Sequence, residues 1–270
     1  MEVFANDFIL GEFRASDYGL AVASFSSNGE SEDEIGFTPT VIEKYIGQEP
    51  VPIYLGQKYE EKLQPTITII KNPCIYQGLD LNFSEKELRN IARQFTGIKG
   101  YQWLKIINDT EDNIWYRARI NKLSYKRVGG YVVGLMLELM CDSCFAWSEE
   151  YDVSVNAKAN RKFFMFNNTD DYNSYIYPIV ELSSVDGGDI ILTNISDNNR
   201  NTEIKNLKEN EKIIIDSKNE IISSSIDHSL LLDDFNLHWI RLVPEKNEYV
   251  SNVDVTINFK FRVPRKIGFI

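Results

Sequence analysis

Along most of the chain, apolar residues recur at every second position. Val253–Phe261 is the plainest case: Val253, Val255, Ile257, Phe259 and Phe261 alternate with Asp254, Thr256, Asn258 and Lys260. That period puts one face of an extended segment in a core and the other in water, as in an antiparallel strand. Tyr151–Val155 alternates around Val153, and Ile114, Tyr116, Ala118 and Ile120 stand opposite Trp115, Arg117 and Arg119. Thr66–Ile70, Tyr101–Ile107, Tyr131–Met140, Tyr175–Leu182, Asp189–Ile195, Glu211–Asp216 and Glu220–Ser224 read as further strands, separated by Asn, Asp, Gly and Pro. Ile213–Ile222 reads as a hairpin turning at Asp216–Asn219, and the glycine pairs Gly129-Gly130 and Gly187-Gly188 also read as hairpin turns.

One segment has a different period. Ser84 is followed three residues later by Glu87, a capping box. Leu88, Ile91, Ala92 and Phe95 then recur at helical spacing, and Gly97 is placed to stop the helix. The expected fold is mainly β, with one helix near 84–96 packed on a sheet in the first half. Ser26–Thr40 is acidic and poor in apolar residues, and reads as an exposed loop. Ser196–Glu211 is polar but for Ile204 and Leu207, and reads as a short strand between turns. The charged patch at Glu149 and Glu150 marks the expected boundary between a domain over 1–150 and another over 151–270.

Asn236–Pro244 combines one of two histidines with a tryptophan and an arginine. Trp239, Arg241 and Val243 would share one strand face and Ile240 and Leu242 the other. Pro244 would end the strand, Glu245–Tyr249 would turn, and Val253–Phe261 would complete a closing hairpin of a sandwich. On this reading the stretch is architecture, with Trp239 in the core or at its rim.

Composition narrows the function. The 270 residues are enough for one large domain or two medium ones. A formal net charge of −11, from 29 Lys and Arg against 40 Asp and Glu, argues against phosphate-neutralising nucleic-acid binding. Met1–Phe13 has no basic n-region or apolar h-region, so no signal peptide is expected. Tyr131–Met140 is about half a bilayer-spanning length and carries Glu138, so no membrane insertion is expected.

Candidate chemistry is sparse. Cys141 and Cys144 form a Cys-x-x-Cys, but an apolar extended run precedes it, and His228 and His238 lie far along the chain without a second pair. Strand-end thiols are the better reading. The sequence has no phosphate loop, no Gly-x-Ser-x-Gly elbow and no His-Glu-x-x-His. His228 reads as part of an exposed connection, and His238 as a locally bonded residue at a strand start. The acidic run Glu30–Glu34 lacks calcium-loop spacing, and Asp170-Asp171 reads as a turn. No catalytic, cofactor-binding or metal-binding residue is assigned, and no cofactor is expected. Aromatics make up 12% of the chain, which suits cores and subunit interfaces or, less favoured, a sugar platform.

The closing stretch resembles the C-terminal end of distal tail proteins (Dit) of long-tailed phages and prophages of Gram-positive bacteria. That family carries Trp-[Leu/Ile]-x-[Leu/Ile]-x-Pro-Gly-x-Asn, an alternating strand and a basic end. Trp239–Asn247 and Arg262–Lys266 supply these elements, with Glu245 where the family has Gly. Phe13–Phe25, with Gly19-Leu20, is similar to the family's opening, and Leu135–Ser148 to the end of its first domain, with Cys144 in place of Pro. Tyr177–Ile222 is similar to strands of its second domain. The resemblance implies a β-rich ring-forming domain with one helix, then a galectin-like antiparallel β-sandwich. It implies a hexameric ring at the virion tail tip, assembled in the host cytoplasm. The ring would join the tail tube protein to the tail-associated hub or lysin protein and carry receptor-binding or baseplate proteins. It implies no enzyme. The alternative is a host-surface carbohydrate-binding module using Tyr172, Tyr175 and Tyr177.

Overall fold

The computed structural model describes residues 3, 5–25, 40–47, 50–59, 62–97, 99–108, 114–168 and 174–266. The chain divides into two compact units, Met1–Trp147 with Lys266–Ile270, and Ser148–Arg265. The fold is mainly β, as the alternation predicts.

Unit 1 contains strands β1 (Asp7–Leu10), β2 (Phe13–Arg14), β3 (Leu20–Val22), β4 (Thr40–Lys44), β5 (Ile53–Lys58), β6 (Thr66–Lys71), β7 (Gln102–Ile107), β8 (Trp115–Val128), β9 (Tyr131–Cys141) and β10 (Ala146–Trp147). The main sheet runs β2-β1-β7-β8-β9-β6-β3. Each neighbouring pair is antiparallel. The long β8–β9 hairpin turns at Gly129 and Gly130, whose φ of 56° and 88° lie in the left-handed region that glycine adopts freely. Phe8, Leu10, Ile67, Ile69, Leu104, Leu135 and Leu137 form the core of this unit.

Helix α1 (Glu85–Thr96) follows the predicted signals. The Glu87 N–H donates to Ser84 Oγ, and the Ser84 N–H donates to Glu87 Oε2 at 2.8 Å. Ile91 and Phe95 bury the apolar stripe, with Phe95 edge-on to Phe13 at 4.6 Å between centroids. Gly97 ends the helix in right-handed geometry, φ −76°, with its N–H donating to Arg93 O. Glycine is needed there for space, since a Cβ would lie 2.8 Å from Arg93 O.

Unit 2 is a β-sandwich. One sheet runs β11-β19-β13-β16-β17, from β11 (Tyr151–Ala157), β13 (Ile179–Ser183), β16 (Lys212–Asp216), β17 (Ile221–Ser224) and β19 (Val255–Phe261). The other runs β12-β18-β14-β15, from β12 (Lys162–Asn167), β14 (Gly188–Asn194), β15 (Arg200–Leu207) and β18 (Glu245–Ser251). Val180, Leu182, Ile213, Ile215, Ile257 and Phe259 of the first sheet share a core with Ile190, Leu192, Ile204 and Tyr249 of the second. A short helix α2 (Leu231–Asp234) precedes the final strands.

Three sequence expectations change here. Glu245–Tyr249 is not a turn but most of β18, and β18 and β19 lie in different sheets, so the closing segment is a sheet-to-sheet corner rather than a hairpin. The polar residues misled because Lys246 and Glu248 form the wet side of a strand, while Asn247 is wholly buried with its amide bonded. Gly187-Gly188 likewise connects β13 and β14 across the two sheets instead of closing a hairpin. Asn236–Pro244 is extended but hardly laddered: Leu242 bridges Ile176, and it is the Ile240 and Leu242 face that is buried in the core. The acidic loop 26–39, with Glu30–Glu34, and the Asp170-Asp171 pair lie outside the described residues.

Candidate functional site

The feature of unit 1 that its own core does not explain is the β4–β5 hairpin. Among the described residues its strands pair only with each other, in register Thr40↔Lys58 through Lys44↔Ile53, with a bulge after Ile42. Val41, Ile42, Tyr45, Ile46, Val51, Ile53, Tyr54 and Leu55 are all exposed, Val51 at 73% and Tyr54 at 62%. None of them belongs to the core of unit 1. A lone two-stranded hairpin is marginally stable in water, and a contiguous apolar patch marks an interaction surface. The sequence carried a signal for it: the consecutive apolar runs Val41-Ile42, Tyr45-Ile46 and Ile53-Tyr54-Leu55, interrupted by Glu43 and Lys44, around Pro50-Val51-Pro52.

In unit 2, the arginine of the Asn236–Pro244 stretch is locked in place. Arg241 Nε and Nη2 donate to Asp197 Oδ2 and Oδ1 at 2.7 and 2.9 Å, and Asp197 is buried. This bidentate bond raises the Arg241 pKa above its ordinary value. The guanidinium also stacks on Tyr175, 4.0 Å from the ring centroid. Tyr175 and Tyr177 are both partly exposed, but Arg241 already occupies one face of Tyr175, and Tyr172 lies outside the described residues. Trp239 packs edge-on to Phe235 at 4.9 Å, half-buried at the rim of the core.

The His238 N–H makes the local bond expected, to Asn236 Oδ1 at 3.1 Å, while its ring Nδ1 reaches a distant strand, 2.7 Å from Asn201 O. His228 does not fit the exposed connection that the sequence suggested. Its side chain is 6% exposed, with Nδ1 2.8 Å from Glu211 Oε1 and Nε2 3.0 Å from Asp234 Oδ2. Glu211 is fully buried and accepts further bonds from the Lys208 N–H and the Ser224 hydroxyl. Burial pushes the Glu211 carboxyl up, but these bonds and His228 outweigh it and hold the pKa below the ordinary range. Both partners are polar residues of the kind that sequence patterning assigns to loops, so only the folded corner brings them together.

Cys141 and Cys144 are free and buried. Burial, aided by Asp142, pushes the Cys141 thiol to about 12, so it stays protonated and unreactive at neutral pH. Among the described residues, no group of three or more His, Cys, Asp and Glu side chains is placed to hold a metal ion.

Against this geometry, residues 4–143 match the model of a phage tail protein N-terminal domain, and residues 145–261 match that of a phage tail C-terminal domain. The chain belongs to this phage tail protein family. Solved structures share the fold over nearly its whole length. The Dit protein of phage SPP1, described as a paradigm of the hub adsorption apparatus in phages infecting Gram-positive bacteria, aligns with a TM-score of 0.62 at 13% identity, covering 95% of this chain and 98% of that one. A chain of the phage P2 baseplate, in its activated conformation with calcium, gives 0.51 at 5% identity, covering 94% and 97%. The strontium form of that baseplate gives 0.50 at 8% identity, covering 94% and 97%. No curated protein sequence matches the chain. The resemblance to distal tail proteins is therefore supported by family and by fold. No helix among the described residues of this tail protein is long and apolar enough to cross a membrane.

Proposed function

We propose that this phage tail protein is a non-enzymatic, ring-forming adaptor at the virion tail tip. Copies of unit 1 associate around a central channel as a hexamer, and the unit 2 sandwich, galectin-like in type, supplies docking surfaces. The observation that carries this reading is the β4–β5 hairpin, which exposes apolar side chains on both faces and lies outside the core of its own unit. A second copy of the same chain is its partner, in a head-to-tail contact that closes a ring when repeated. The likeness to the SPP1 hub protein supports placing that ring between the tail tube protein and a tail-associated hub or lysin protein, with receptor-binding or baseplate proteins at its edge. Assembly takes place in the host cytoplasm, without a cofactor, a membrane or specific binding to nucleic acid.

The test uses the full-length protein with Ile42→Glu and Tyr54→Glu introduced together. The side chains are exposed, so the melting temperature should hold within about 2 °C, while self-association is lost. Self-association at wild-type strength in this variant would remove the hairpin from the interface. Purified cell walls incubated with the protein should release no soluble sugar or peptide.

The alternative reading, a carbohydrate-binding module, rests on the exposure of Tyr175 and Tyr177. The Arg241 stack on Tyr175 weighs against it by covering a ring face that a sugar would use. Binding to host wall polysaccharide that disappears in Tyr175→Ala and Tyr177→Ala would favour it.

A further inference from the structure

Residues 225–237 form a strap on unit 2. It is tied at one end by the Ser225 N–H to Lys212 O, and at the other by the Asn236 N–H to Glu203 O and the bridge between Phe235 and Ile204. Leu231 and Phe235 anchor it inward, while Leu230, Leu232 and Leu237 are exposed on it. Its middle is held by His228. The charged groups that face the ring come from two directions, Glu211 before β16 and Asp234 in α2. Around them, Asn206 Nδ2 donates to Asp234 Oδ1, Lys205 acts on Asp234, and Lys208 Nζ donates to Asp227 O.

An ionised carboxylate only accepts hydrogen bonds, and a neutral imidazole has a single N–H. With a carboxylate oxygen against each ring nitrogen, the two bonds can form together only if the ring carries both protons. Loss of one proton turns a lone pair toward a carboxylate and leaves two negative groups with half of their bridge. We propose that His228 is a proton-controlled latch, which closes the strap 225–237 over the sandwich while doubly protonated and releases it when one proton leaves. The latch therefore sets how the strip Leu230, Leu232 and Leu237 is presented.

Electrostatics agree with the geometry. The bond to Asp234 is the largest influence raising the His228 pKa above 6.5, and with Glu211 it outweighs burial, which lowers it. Because the folded value is raised, the stabilisation is complete below about 6.5 and is lost as the pH rises through the folded value.

The experiment follows imidazole signals by NMR, with His238→Gln to assign the two histidines, and hydrogen exchange of peptides from 212–237, on full-length protein between pH 6 and 9.5. We expect two ring N–H protons on His228 at pH 6 and a midpoint above 6.5. After correction for intrinsic exchange, strap peptides should speed up at least tenfold across that midpoint while β16 peptides stay flat. His228→Gln should raise strap exchange at least tenfold already at pH 6.5 and abolish the step. Asp234→Asn, which keeps a hydrogen-bonding group but removes a charge, should move the step to lower pH. A ring with a single proton at pH 6, a midpoint at or below 6.5, or strap exchange with no step in the unaltered protein, would overturn the latch.

Discussion

The side-chain amide of Asn247 grips the backbone of Val243 from both sides: the Val243 N–H donates to Asn247 Oδ1 and Asn247 Nδ2 donates to Val243 O, each at 2.8 Å. Asn194 Nδ2 adds a third bond to Asn247 Oδ1 at 3.0 Å. The amide acts as a substitute strand partner for a segment that has almost no ladder of its own. Removing it leaves a partly buried N–H and C=O without these bonds, each costing up to roughly 1–3 kcal/mol. Asn247→Ala should therefore destabilise unit 2 by about 3 kcal/mol. Asn247→Asp should do no better, since it loses the donor to Val243 O and buries a charge. Denaturant midpoints followed by Trp239 fluorescence measure both.

Two residues before Asn247, Glu245 has a φ of 65°, in the left-handed region. In the resemblance to distal tail proteins, this is the position where Gly often stands. A side chain there costs about 1–2 kcal/mol, part of which glycine returns as lost chain entropy. Glu245→Gly should raise stability by about 1 kcal/mol in the same unfolding assay, and Glu245→Ala should not.

Gly187 and Gly188 are adjacent, and both have positive φ, 69° and 87°. They differ in space. A Cβ on Gly187 would sit 2.6 Å from Leu207 O and 2.9 Å from Glu209 N, both backbone atoms, whereas one on Gly188 meets nothing within 4 Å. Gly187→Ala should cost upwards of about 3 kcal/mol and Gly188→Ala about 1 kcal/mol. Thermal unfolding of the two variants side by side checks the difference.

In unit 1, the buried Asp7 carboxylate ties the first strand to the turn after it. Oδ2 accepts from Arg14 Nε at 2.8 Å and Ser16 Oγ at 2.7 Å, and Oδ1 from the N–H groups of Phe8 and Ser16. Burial pushes its pKa up, but these bonds, Arg14 first, bring it below the ordinary 3.8. A depressed folded value means that the stabilisation is present above 3.8 and lost as the pH falls through the folded value. Asp7→Asn should cost about 2 kcal/mol at pH 7 and flatten the acid limb of a stability-against-pH curve between pH 5 and 2.

Much of this architecture was legible from spacing. Val253–Phe261 alternates because one sheet face meets the shared core, and Ser84 with Glu87 announced α1 through a bond that is local in sequence. The misreadings share one cause, polar or apolar residues whose partners come from tertiary structure. Asn247 looks like a turn residue until Asn194 and Val243 surround it. His228 looks exposed until Glu211, seventeen residues before it, closes over its ring. The hairpin β4–β5 is not legible from alternation because its apolar residues run consecutively, Val41-Ile42 and Ile53-Tyr54-Leu55, and its polar ones follow in a block. The Cys-x-x-Cys sits at the end of β9, where burial raises the Cys141 thiol.

Assembly is the claim on which the functional account depends, and the solution mass of the full-length protein tests it most directly, with negative-stain images of the same sample. Ring formation predicts a species of six times the 31.2 kDa chain mass and six-fold class averages with a central hole. A monomer at every concentration, persisting after addition of the cognate tail tube protein, would contradict it.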